Sequence, residues 1–165
     1  MTRTRQAAST KPHLVIVPRT GVGPVRFGMR RRDVRRGMAE LGLSLSSAEK
    51  TLDFFGDENA IQVEYDGGTA SFIGVSNGQH FTCSIYDVDP FDMLARKLFT
   101  LLAKHDGTTK GARFDPSEYC FRNTIVTLYE ADKQYDHKGR GRRVIWSQVG
   151  VGDERYLAAI DALGT

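Results

Sequence analysis

The chain has 165 residues, of which 40% are hydrophobic and 26% charged, enough apolar material for a core without disulfides or a structural metal and too much for a disordered chain. Its net charge of +3 conceals a segregation: residues 1–36 hold ten Lys/Arg and one acid, residues 37–92 one Lys and ten acids, and residues 93–165 twelve Lys/Arg and nine acids. Such blocks suggest a polar partner or the packing of basic on acidic segments inside the molecule, while the plainer reading makes each block a solvated face.

In chain order, residues 1–12 are small, polar and basic and read as a disordered tail, leaving 13–165 as a single α+β domain. The first apolar run, Leu14-Val15-Ile16-Val17, reads as a strand. It is short of the roughly 7–15 residues of a secretory segment and the roughly 20 of a membrane span, so no membrane association is expected. A segment punctuated by glycine, Gly21-Val22-Gly23-Pro24-Val25-Arg26-Phe27-Gly28-Met29, follows. It lacks the spacing of a dinucleotide fingerprint or a P-loop, so its glycines read as turn residues before a helix. The spacing of Val34, Met38 and Leu41 predicts that helix over 30–41, stopped by Gly42.

Residues 61–75 read as a hairpin turning at Asp66-Gly67-Gly68, and 79–86 as a further strand. The second helix is predicted from Asp89, as cap, and Pro90 to Gly107, with Leu94, Leu98, Leu101 and Leu102 on its apolar face. Residues 119–129 and 144–151 have strand composition, 132–143 read as a polar basic loop, and Asp153 opens a short terminal helix. The expected architecture is α+β: two main helices packed on an antiparallel sheet, with the option of a duplicated helix-plus-sheet unit.

Around Phe27-Gly28-Met29-Arg30-Arg31-Arg32-Asp33-Val34, closed by Leu41-Gly42, the chain resembles the helix entry of outer-membrane-assembly lipoproteins of the SmpA/OmlA type. It is also similar there to the repeated helix-plus-sheet unit of β-lactamase inhibitory proteins. Arg30 stands where that pattern carries a Ser or Thr cap. The resemblance implies two layers of helix on sheet and a non-catalytic protein that binds others through an exposed sheet face or loops.

The residues themselves assemble no catalytic set. His13, His80, His105 and His137 lack metal-ligand spacing, and Asp87 and Asp89 are followed directly by Pro90; no metal or cofactor is expected. Cys83 and Cys120 are too few for a disulfide scaffold, form no Cys-x-x-Cys, and read as buried thiols in a reducing, cytoplasmic setting. Glu64, Asp66, Glu118 and Glu130 show no acid–base pairing.

Two surfaces remain. Asp53, Phe54, Phe55, Asp57, Glu58 and Glu64 combine aromatic anchors with an acidic rim, which suits a protein partner. Arg30, Arg31, Arg32, Arg35 and Arg36, with Arg140, Arg142 and Arg143, are the candidate polyanion-binding residues. The leading expectation is a non-enzymatic protein-binding module of inhibitor or immunity type. The alternatives are a nucleic-acid-associated protein, or a hydrolase or transferase whose site one sequence does not display.

Overall fold

A computed structural model describes residues 11–137, 139 and 141–164. Most of the tail and Arg140 therefore lie outside the described residues. The order begins with β1 (His13–Val17), β2 (Gly21–Val22), β3 (Val25–Arg26) and α1 (Arg31–Glu40). A meander follows, β4 (Leu45–Glu49), β5 (Leu52–Phe55), β6 (Ile61–Asp66) and β7 (Thr69–Ser76), with one 3-10 turn (Asp57–Asn59) between β5 and β6. Then come β8 (Thr82–Ile85), α2 (Ala95–Asp106), β9 (Glu118–Phe121), β10 (Val126–Tyr135), β11 (Arg142–Gly152) and α3 (Glu154–Leu163).

This corrects the expected fold. Strand, not helix, dominates, and the strands form two sheets: a four-stranded one ordered β3-β2-β1-β8 and an antiparallel seven-stranded one ordered β4-β5-β6-β7-β11-β10-β9. In the small sheet β1 and β8 are parallel. The segment read as a basic loop is partly strand: 132–135 belong to β10 and 142–143 to β11. Residues 45–55, for which no element was expected, form a hairpin, so Phe54 and Phe55 sit on β5. The reason is pairing: all five residues of β4 are exposed, so the cross-strand ladder fixes it and no apolar alternation advertises it.

One apolar cluster joins both sheets, α1 and α2. Leu14, Ile16, Val22 and Val25 from the small sheet, Val34 and Met38 from α1, and Leu98 and Leu102 from α2 pack with Phe55, Ile61, Val63, Ile73, Val75, Val149, Val151 and Trp146 of the large sheet. α1 fills the span expected of it. α2 starts five residues later than expected, because the Asp89 carboxylate accepts from the Phe91 amide at 2.9 Å and so closes a turn ahead of the helix. Among the described residues no helix is long and apolar enough to cross a membrane.

α3 lies on the opposite face of the large sheet. Asp153 caps it, accepting from the backbone N–H groups of Arg155 and Tyr156 at 3.0 and 3.2 Å. The Arg155 guanidinium then donates to Asp153 (2.8 Å), Thr69 Oγ1 (2.7 Å) and the carbonyls of Asp66 (2.9 Å) and Ala70 (3.0 Å). The Tyr156 ring stacks on Phe72 with centroids 4.2 Å apart. The helix start is thus clamped to the β6–β7 turn.

Candidate functional site

The sequence-derived site residues divide sharply. Asp53 is fully buried. Arg31 donates to it from Nη2 at 2.6 Å, Arg35 from Nε and Nη2 at 2.8 Å, and the Tyr65 hydroxyl at 2.9 Å. Arg31 also reaches the carbonyls of Glu49 and Leu52 at 2.6 and 2.9 Å. Burial alone would raise the Asp53 carboxyl; the hydrogen bonds from Arg35, Arg31 and Tyr65 and the Arg31 charge outweigh it and hold the group down at about 2. Basic packs on acidic inside the molecule here. Asp53 and Phe55, which is 1% exposed, are therefore not surface contacts, and Arg31 and Arg35 are committed to pinning α1 onto β5. Arg31 and Arg35 stand one helical turn apart beside the buried Val34–Met38 stripe, which is the signal that sets them apart from their neighbours.

Arg30, Arg32 and Arg36 face solvent, with Asp33 within 3.9 Å of Arg32 and 3.5 Å of Arg36. At the hairpin, Arg143 is held by Asp136 at 2.5 Å and by the Asp92 carbonyl at 2.6 Å, and Arg142 donates to the Lys133 carbonyl at 3.1 Å. The two arginine groups are thus drawn down by internal pairing. Asp57 and Glu58 are exposed and line a cleft of about 540 Å³, where Asp57 meets His80 at 2.7 Å.

Glu64 lies elsewhere, on the outward face of the large sheet. Strand register places Phe54, Gln62, Gly74, Gly150, Thr127 and Cys120 in one row across that face. Leu52, Glu64, Phe72 and Gly152 lie in the row on one side, and Ser76, Gln148, Tyr129 and Glu118 in the row on the other. The paired glycines at the centre permit close approach. A Cβ at Gly150 would lie 2.4 Å from Phe72 Cζ and 2.5 Å from Thr127 Oγ1, and one at Gly74 would lie 2.7 Å from the Gln148 amide.

Above this floor runs a groove of about 700 Å³, walled by the α3 stripe Tyr156, Ile160 and Leu163 and, from the strands, by Glu64, Glu118, Tyr129 and Gln148, with Asp115 just ahead of β9. The stripe is only partly covered: Leu163 is 88% exposed. Among the described residues no lysine or arginine lines the groove. Burial raises the Glu64 carboxyl, against which the Gln62 amide donates a single hydrogen bond at 3.1 Å. Burial likewise pushes the Tyr156 phenol up, with Glu64, Cys120 and Glu118 adding to it.

No protein-family profile, curated protein or solved structure matches this chain. The site is therefore read from its own chemistry.

Cys83 is buried and Cys120 half-buried, both free; burial is the largest cause raising each thiol, so neither is an activated nucleophile. Among the described residues no three His, Cys, Asp or Glu side chains are grouped to hold a metal ion. The groove instead offers aromatic surface, two primary amides and carboxylates without a cation. Sequence reading identified Glu64 and noted Glu118, but missed Phe72, Gln148 and Tyr156. The available signal was the trio Gly74, Gly150 and Gly152 inside strands, where glycine marks a close approach.

Proposed function

We propose that this chain is a non-catalytic protein-binding module, of the inhibitor or immunity kind, and that it holds its partner in the groove between α3 and the outward face of the large sheet. One observation carries the reading. The groove joins aromatic surface to Glu64, Asp115 and Glu118, and no lysine or arginine among the described residues lines it. Aromatic anchors rimmed by one sign of charge suit a basic protein surface, in both affinity and encounter rate. The local likeness of Phe27-Gly28-Met29 and the α1 sequence to families that bind protein through a sheet face supports the same direction. A reducing, cytoplasmic setting is proposed with it, from the two free thiols.

The test is comparative capture of partners on the immobilised full chain. Glu64→Lys/Glu118→Lys is expected to abolish capture of the specific partner, whereas Asp57→Lys/Glu58→Lys leaves it. Loss with the second pair alone would move the contact surface to Asp57 and Glu58.

A further inference from the structure

We propose that the groove is an anchor site for one arginine side chain of the protein partner, seated against Glu64 and the exposed part of the Tyr156 ring. The proposal rests on the protein-binding reading and adds the residue type recognised.

This fold gives its buried and half-buried acids partners. Asp53 is met by Arg31 and Arg35, Asp136 and Asp92 by Arg143, and Asp153 by Arg155. Asp106, buried without an arginine, accepts from the Thr124 amide and hydroxyl, both at 2.7 Å, and from the Thr108 hydroxyl at 3.0 Å. Glu64 has neither solution. It is half-buried, receives one amide hydrogen bond, and has no ion-pair partner among the described residues. Desolvating a carboxylate without a cation is unfavourable, and a guanidinium entering the groove removes that penalty.

The surroundings favour guanidinium over ammonium. The Gln62 amide donates to Glu64 and the Gln148 amide lies over Gly74 of the floor, so two primary amides and a carboxylate share the groove. A planar fork with five donors can use several of these at once, whereas a hydrated ammonium acts as a point charge. Tyr156 supplies an aromatic ring beside them, on which guanidinium stacks. Glu118 and Asp115 extend the negative field along the groove, with no ion-pair partner among the described residues.

The probe is N-acetyl-arginine methylamide, titrated into the full chain at low salt and followed by backbone amide NMR. The neutral isostere N-acetyl-citrulline methylamide and the lysine analogue serve as comparisons. Expected are saturable shifts at 62–64, 72–74, 118, 148–150 and 156 with the arginine probe. The lysine and citrulline probes should bind several-fold more weakly, and Glu64→Gln should weaken the arginine probe by about tenfold or more with the remaining spectrum unchanged. Equal binding by citrulline or lysine overturns the proposal, as do shifts centred on Asp57 and Glu58, or an unaffected Glu64→Gln.

This failure is separable from failure of the parent reading. A groove that ignores the arginine probe while Glu64→Lys/Glu118→Lys still abolishes protein capture removes the arginine anchor and keeps the module. A groove that binds the probe while capture is indifferent to those substitutions keeps the anchor site and removes the module.

Discussion

Replacing Asp53 by Asn tests the internal charge network. The carboxylate is wholly buried, while the side chains of Arg31 and Arg35 are 26% and 40% exposed. Its folded-state value of about 2 lies below the ordinary 3.8, a gap that corresponds to about 2 kcal/mol of stability at neutral pH. The sign follows from the depression: the contribution is complete well above 3.8 and is lost as pH falls through that value toward 2. Asn keeps the size but leaves two guanidiniums facing a neutral group. Removing one side of a buried pair costs about 3–5 kcal/mol, and the solvent reaching both arginines places this case at about 3 kcal/mol. Urea unfolding of wild type and Asp53→Asn should therefore show that difference at pH 7, shrinking to about 1 kcal/mol near pH 2.5 as wild type protonates. A difference under about 1 kcal/mol at pH 7, or one that does not change between pH 6 and pH 2.5, would refute the network as the clamp on α1.

Gly150→Ala should destabilise by about 1–3 kcal/mol in the same assay, since its Cβ meets the Phe72 ring and Thr127, whereas Gly74→Ala should cost less because it meets the movable end of Gln148. Tyr156→Ala removes the stack on Phe72, worth about 0.5–1.5 kcal/mol, so amide exchange across α3 should accelerate while β6 and β7 stay protected. Binding to a short DNA duplex should be weak: the three exposed arginines of this cluster, Arg30 just ahead of α1 and Arg32 and Arg36 on it, support a slope of log K against log salt no steeper than about −3. A steeper slope that collapses in Arg32→Glu/Arg36→Glu would favour the nucleic-acid reading.

Elements with strong local signals were legible in the sequence. α1 followed from Val34 and Met38, the β6–β7 hairpin from alternation around Gly67-Gly68, and α3 from the Asp153 cap. What misled was chemistry with two uses. Asp89 and Pro90 carry a helix-start signature, yet the Asp89 carboxylate serves the Phe91 amide and His137, and the helix waits until Ala95. β4 and the outer half of β10 are polar and stay in place through ladder bonds to a neighbour, a long-range cause with no local trace.

The site was less legible than the fold. The blocks of opposite charge allowed internal pairing of arginines with acids as one reading, but did not show that Arg31 and Arg35 are taken up by Asp53 while Arg32 stays outside. The groove draws on five strands and a helix, and only strand register brings Glu64, Phe72, Gln148 and Glu118 onto one face. Register depends on pairings between segments far apart in the chain, which composition does not encode.

The claim that the groove is the contact surface is tested most directly by hydrogen exchange on the chain bound to its captured partner. The account predicts new protection in 62–64, 72–74, 118–129, 148–150 and α3, with α1 unchanged. Protection confined to α1 or to 53–59, with the outward sheet face exchanging as in the free chain, would contradict it.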